Sequence, residues 1–213
     1  MDVPFLRTLE EKVAPGNAAL IVVDVQNDFC ADKGYFAKTG HDVSMAQAMV
    51  PNLQPLIEGA RRAGVMVLFV QAIYDPVYLA PPWYERNARN KLEMPRCLTG
   101  TWGADFYQVS PLPTETIVRK HRYSAFINTE LDLILRSRQI KTVIMTGVAT
   151  NVCVESTARD AFMKDYYVVF VDDCSATYSK ELHEGTLKNI EACFGIVTTS
   201  REILGAWEKL GRA

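Results

Sequence analysis

The chain has 213 residues, 48% of them hydrophobic and 23% charged, with a formal net charge of -2 at pH 7. That length suits one well-buried domain, 1–213, and is short for two. The charge balance offers no attraction for nucleic acid or an anionic membrane surface, and no run approaches the ~20 apolar residues that span a bilayer. Residues 1–10 are polar and interrupted, so no targeting segment is expected. The five cysteines (Cys30, Cys97, Cys153, Cys174 and Cys193) are scattered and contain no C-x-x-C pair. Neither a disulfide framework nor a structural zinc site is expected from them, and a reducing cytoplasm is the expected compartment.

Taken along the chain, Ala18–Val23 is a strand-like apolar run that ends on Asp24. Met45 to Ala63 then carries Met49, Leu53, Leu56 and Ile57 at helical spacing and stops at Gly64. Val65–Val70 predicts a second strand. The next segment, Tyr74 to Gln108, breaks the rhythm: it is rich in Pro, Trp, Tyr and Arg and has no clean period. A connection that long predicts a functional loop or lid, the alternative being a solvated excursion stabilised by its aromatics. Thr116–Val118 predicts a third strand, with Lys120 just beyond it. Ile127 to Arg138 has Leu131, Ile134 and Leu135 on one helical face. Thr142–Met145, continuing to Gly147, predicts a fourth strand. The helix after it begins near Asn151 and shows Val154, Ala158, Ala161 and Phe162 on one face. Tyr167–Val171, a helix over Lys180–Cys193 (Leu182, Leu187, Ile190), Gly195–Thr198 and a helix over Ile203–Leu210 complete the series. Strands apolar throughout and alternating with helices predict a parallel sheet covered on both faces, a three-layer α/β sandwich.

In such a sheet ligands bind beyond the carboxyl ends of the strands. Asp24, Lys120 and Cys153 all arrive at that edge, and a cysteine nucleophile needs a proton acceptor and a positive neighbour. Cys153 falls in the first turn of its helix, with Thr150 or Asn151 as N-cap, where unpaired N–H groups and the helix dipole favour thiolate. Each residue alone has a plainer reading: an inert buried thiol, a turn-capping Asp, a solvated Lys. Their joint arrival favours the chemical one.

Three ordered motifs then carry a resemblance. Ile21-Val-Val-Asp-Val-Gln-Asn-Asp-Phe-Cys30, Lys120 and Gly147-Val-Ala-Thr-Asn-Val-Cys153 resemble the isochorismatase-like cysteine hydrolase superfamily over about residues 16 to 200. Arg122-Tyr-Ser-Ala-Phe-Ile-Asn-Thr129 with Thr150-Asn-Val-Cys-Val-Glu-Ser-Thr157 resembles its ureidoacrylate amidohydrolase-type members. The resemblance implies a six-stranded parallel sheet, Asp24, Lys120 and Cys153 as catalytic triad, a cis peptide between Val148 and Ala149, and a homo-oligomer, dimer or tetramer. It implies no cofactor. The chemistry expected is attack of the Cys153 thiol on a small amide or ureido carbonyl, with Asp24 moving the proton and the Ala149 and Cys153 N–H groups holding the oxyanion. A thioester forms, and ammonia or a carbamate is released.

Related branches fit less well. True isochorismatases lack the thiol, and nicotinamidases carry an Asp and paired histidines as metal ligands after the second strand. Gln71 to Arg96 contains no histidine, so no metal is expected. His121 stands beside Lys120 where many relatives have proline. Gln26, Asn27, Gln71, Tyr74, Trp83 and Tyr123 are the candidate substrate contacts, with Arg86, Arg89 and Arg96 available for a substrate carboxylate. For Gln26 and Asn27 a cap or turn role weighs equally, and for Tyr74 and Trp83 loop packing does; for each arginine taken singly a solvated surface role outweighs substrate binding. Biuret, an N-carbamoyl amino acid or a nicotinamide-like amide are alternative substrates. A catalytically silent small-molecule-binding member is the competing class. A dinucleotide-binding domain is disfavoured, because no glycine follows Asp24 where G-x-G-x-x-G would need it.

Overall fold

The structure is a computed structural model that describes residues 4–92 and 95–211. One all-parallel sheet runs in the order β3-β2-β1-β4-β5-β6. Its strands are β1 (Ala18–Val23), β2 (Met66–Ala72), β3 (Thr116–Lys120), β4 (Thr142–Val148), β5 (Tyr167–Ala176) and β6 (Ile196–Thr198). The helices are α1 (Leu9–Val13), α2 (Asn27–Cys30), α3 (Tyr35–Lys38), α4 (Ser44–Ala63), α5 (Pro81–Arg89), α6 (Leu131–Ser137), α7 (Glu155–Met163), α8 (Lys180–Cys193) and α9 (Ser200–Leu210). The expected three-layer sandwich on a six-stranded parallel sheet holds.

The pleat divides the core. Ala18, Leu20 and Val22 of β1 pack with Leu53 and Leu56 of α4, Ile203 and Trp207 of α9 and Val13 of α1. Ala19, Ile21 and Val23 face the other layer, with Leu131 and Leu135 of α6, Val154, Ala158 and Ala161 near α7 and Ile190 of α8. Burial on both faces explains why β1 and β4 read as continuous apolar runs. The chain reverses direction across the sheet between β1 and β4, and β4 there approaches β1 very closely. At Gly147 (φ 110°) an added Cβ would stand 2.0 Å from the Val23 carbonyl oxygen, so only glycine fits.

Local differences from the sequence reading have physical causes. The helix expected over Ile127–Arg138 starts four residues late, because Thr129 Oγ1 caps the Ala125 carbonyl and bonds Leu131 N at 3.2 Å. The last helix starts earlier, at Ser200, where Thr199 and Glu202 form a reciprocal capping box. Phe162 and Leu182, expected on apolar faces, are 44% and 41% exposed. The segment after β2 is less irregular than its sequence suggests: it contains α5 and short 3-10 turns at Pro76–Tyr78 and Trp102–Ala104. None of the side chains of α5 is buried, so no apolar stripe marked that helix.

Candidate active site

Asp24 leaves β1 in the left-handed region (φ 52°), a conformation Asp tolerates better than most residues, with its N–H on the Val70 carbonyl at 3.0 Å. Lys120, the last residue of β3, runs fully buried beneath β2 to reach it, Nζ lying 2.7 Å from Asp24 Oδ2. The same ammonium donates to the Arg122 carbonyl at 2.9 Å and to Cys153 Sγ at 3.4 Å. The three residues expected as a triad therefore meet, two of them on either side of the point where strand order reverses.

The turn bearing Cys153 differs from expectation. Residues Thr150–Val154 form one π-helical turn ahead of α7, after a cis peptide between Val148 and Ala149. Neither Thr150 nor Asn151 caps a helix N-terminus. The Thr150 hydroxyl faces His183 Nδ1 at 2.9 Å, and Asn151 Oδ1 accepts from Thr177 Oγ1 at 2.8 Å.

Electrostatics also corrects the thiolate expectation. Burial pushes the Cys153 thiol up to about 12; Lys120 pulls it back, while Asp24 adds to the rise. Desolvation outweighs the helix end, and the resting sulfur carries its proton. Burial likewise raises the Asp24 carboxyl, with Lys120 opposing. Burial works against the Lys120 charge too, but Asp24, Cys153 and Tyr74 overcome it and hold the ammonium well above its ordinary value. The result is a carboxylate made more basic beside a neutral thiol, which is the arrangement a general base needs.

Cys153 opens onto a cavity of about 520 Å³ whose wall includes Ala149, Val152, Tyr74, Tyr123, Arg86 and Arg96. Ala149 and Cys153, the expected oxyanion donors, thus border the same space. Trp83 stands behind the wall, its ring 5.5 Å from that of Tyr74 and 4.9 Å from that of Tyr123, so it sets those two side chains.

Three expected substrate contacts are engaged elsewhere. Gln26 is fully buried, and its amide bonds the Ala72 backbone at both ends and the Ala104 carbonyl. Asn27 Nδ2 donates to the Trp102 carbonyl at 2.8 Å, and Gln71 Nε2 to that of Ala104 at 2.9 Å. These amides tie the strand ends to the excursion and do not line the cavity. His121 Nδ1 lies 2.8 Å from the Ile73 carbonyl oxygen, and its ring stacks on Tyr78 at 3.6 Å.

Of the arginines, Arg89 pairs with Glu85 at the surface. Arg86 lines the cavity and bonds Asn87 Oδ1 at 3.0 Å. Arg96 is buried between two aromatic faces, 5.1 Å from the Tyr35 centroid and 5.0 Å from that of Tyr74. Among the described residues it has no carboxylate partner. Tyr35, Phe36, His41 and Tyr178 also border the cavity and were not foreseen. Their aromatic character looks like ordinary core in the sequence, and only the fold brings them opposite Cys153. Among the described residues no group of three or more His, Cys, Asp or Glu is placed to hold a metal ion.

The profile of the Isochorismatase domain family matches residues 18–202. The chain belongs to the isochorismatase family. It is 38% identical over 207 residues to a ureidoacrylate amidohydrolase RutB from Enterobacter sp. (strain 638), covering 91% of this chain and 90% of that protein. A cysteine hydrolase from Pseudomonas syringae pv. phaseolicola 1448A superposes with a TM-score of 0.83 at 28% identity, over 98% and 99% of the two chains. An N-carbamoylsarcosine amidase from Thermoplasma acidophilum superposes with a TM-score of 0.70 at 26% identity, over 86% and 96%. The family read from the three motifs is borne out, as is the likeness to ureidoacrylate-type members.

Proposed function

We propose that this isochorismatase-family protein is a cysteine-dependent amidohydrolase that cleaves a C–N bond of a small ureido or carbamoyl acid. The observation that carries the reading is Lys120 Nζ bridging Asp24 at 2.7 Å and Cys153 at 3.4 Å, with Cys153 on the wall of a cavity. A relative named ureidoacrylate amidohydrolase and a neighbour named N-carbamoylsarcosine amidase support the same bond type.

In the proposed cycle Asp24 takes the thiol proton as sulfur bonds to the substrate carbonyl carbon. Lys120 stays protonated throughout and offsets the charge that passes from carboxylate to sulfur. N–H groups of Ala149 and Cys153 receive the carbonyl oxygen as it gains charge, a role in which one donor is typically worth about 10²–10³ in rate. The C–N bond breaks as Asp24 returns its proton to nitrogen, leaving a thioester and free amine or ammonia. Water then gives a proton to Asp24 and hydroxide to the acyl carbon. The sulfur leaves and takes that proton from Asp24 as the acid or carbamate product forms, which restores the carboxylate and the thiol.

Arg96 favours acid-bearing substrates over biuret or nicotinamide. A buried guanidinium is strongly disfavoured unless an anion meets it, and a substrate carboxylate supplies that anion in bidentate geometry. A homo-oligomer, dimer or tetramer, and a reducing cytoplasm remain part of the reading, the latter suiting five scattered cysteines with no C-x-x-C pair.

The test is ammonia release from ureidoacrylate, N-carbamoyl amino acids, biuret and nicotinamide. Turnover of the acids well ahead of the two uncharged compounds is expected. No release from any of them, together with iodoacetamide labelling of Cys153 no faster than of the other buried thiols, would move the chain to the silent binding class.

A further inference from the structure

We propose that Asp172, His183 and Thr150 form a positioning relay that holds the Cys153 turn in its attacking geometry through a neutral imidazole. The inference rests on Cys153 being the nucleophile. His183 Nε2 lies 2.8 Å from Asp172 Oδ1, and His183 Nδ1 lies 2.9 Å from Thr150 Oγ1. Thr150 is 0% exposed and His183 8%, whereas Asp172 is half-exposed at the surface. None of the three lines the reaction cavity, so they touch neither substrate nor sulfur.

The proton positions follow from what each partner is able to give. An ionised Asp172 only accepts, so Nε2 carries the ring proton and donates to it. Nδ1 of the neutral ring is then an acceptor, and the Thr150 hydroxyl donates into it. A protonated ring would point a second N–H at Thr150 Oγ1. The hydroxyl proton would then face no other acceptor among the described residues, inside a fully buried pocket where such an orphan typically costs about 1–3 kcal/mol.

The relay grips the turn at its first residue, three before Cys153. Its other ties are of the same passive kind. Asn151 Oδ1 accepts from Thr177, and the Cys153 carbonyl accepts from Thr157 Oγ1 at 2.7 Å, which in turn accepts from Ala125 N at 3.0 Å. Apart from the Cys153 thiol itself, which accepts from Lys120, Thr150 is the turn's one side chain hydrogen-bonded to a titratable group among the described residues. Asp172 sits where β5 departs from regular pairing, between Phe170, opposite Met145, and Ser175, opposite Gly147. That irregularity turns Asp172 toward α8. The ionisable groups sharing the outer cavity with His183 are Asp172 and Asp173 from β5 and Lys180 and Glu184 from α8. From α4 only Met45, Ala48 and Met49 face it. Glu155 is engaged farther along α8, with Thr186 at 2.6 Å and Asn189 at 3.0 Å.

Kinetics of Thr150→Val, Thr150→Ser and His183→Gln on the panel acid turned over fastest, with iodoacetamide labelling of Cys153 in each, test the relay. Thr150→Val is expected to lower kcat roughly 10- to 100-fold with KM within about twofold, as for a misplaced reacting group. It slows Cys153 labelling in step, and Thr150→Ser, which keeps the hydroxyl, restores both. A lower melting temperature in Thr150→Val and His183→Gln with kcat and labelling unchanged would make these three residues merely structural and sink the proposal. A raised KM at full kcat would sink it equally. Should Thr150→Val not fold, His183→Gln carries the same readouts. Turnover surviving in Cys153→Ser would instead overturn the parent reading, whatever the relay variants do.

Discussion

One wall of the cavity, Cys153 backed by Asp24 and Lys120, hangs on the ends of three parallel strands, and the rest hangs on helical and looped segments outside the sheet. Asp24, Lys120 and Cys153 are fixed by the register of β1, β3 and β4, by Gly147 against Val23 and by a short ion pair. Arg96, Tyr74 and Tyr123 are fixed by aromatic contacts and by side-chain amides reaching backbone carbonyls, such as Gln26 and Gln71 on Ala104. The first wall holds reacting atoms within a few tenths of an ångström because hydrogen-bonded strands allow no other spacing. The second sets shape and charge and adjusts without disturbing the strands. The difference teaches a division of labour: chemistry is built on the sheet and substrate choice on the excursion.

The largest effect expected is on the strand-borne wall. Cys153→Ser and Asp24→Asn should each abolish turnover of every substrate alike, by roughly 10⁴-fold or more, since residues acting as a unit fail together. Asp24→Asn also leaves the buried Lys120 ammonium without its carboxylate, so its melting temperature falls while that of Cys153→Ser stays near wild type. Steady-state kinetics with thermal unfolding of both variants checks this. Selective loss of one substrate in Cys153→Ser would erase the distinction between the walls.

The same contrast governs what the sequence discloses. β1 and β4 are buried on both faces, so their apolar runs stand out, and the residues that end them fall at a predictable edge. Asp24 and Cys153 were legible for that reason, whereas Lys120 ends the half-exposed edge strand β3 and was legible from its place between the other two motifs. The thiol's protonation was not, because desolvation depends on what covers Cys153, and that cover comes from segments distant in sequence. Gln26, Asn27 and Gln71 misled because a polar residue at a strand end looks the same whether it meets a ligand or a carbonyl. Arg96 was one of three equivalent arginines until the fold set Tyr35, from before α4, against one side of it and Tyr74 against the other.

A smaller effect is expected on the facing wall. Arg96→Met keeps the stem and removes the charge, and should weaken kcat/KM for ureido acids by about 10- to 100-fold, the worth of a charged hydrogen bond. Turnover of uncharged amides should be unchanged or improved, since the variant no longer buries an unmatched cation. A panel comparison of wild type and variant measures the ratio. Equal losses on acids and uncharged amides would place Arg96 in packing.

The smallest effect should ignore the division altogether. Burial raises the thiols of both Cys153, on the strand-borne wall, and Cys97, in the excursion. A raised folded-state pKa means the native chain holds its proton over a range where the unfolded chain has released it. The stabilisation is therefore complete below the ordinary thiol value of 9.0 and is lost as pH rises from there, toward about 12 for Cys153. Each such thiol contributes a fall of about 1.4 kcal/mol per pH unit in that window. Cys97→Ser and Cys153→Ser should each flatten the alkaline decline of unfolding free energy by one proton's worth, measured by denaturant titration between pH 8 and pH 11. Only Cys153 has an ammonium 3.4 Å from its sulfur, so only that variant also loses turnover. If Cys97→Ser leaves the alkaline slope unchanged, the excursion opens before the sheet does, and its thiol is solvated while the strand-borne wall is still folded.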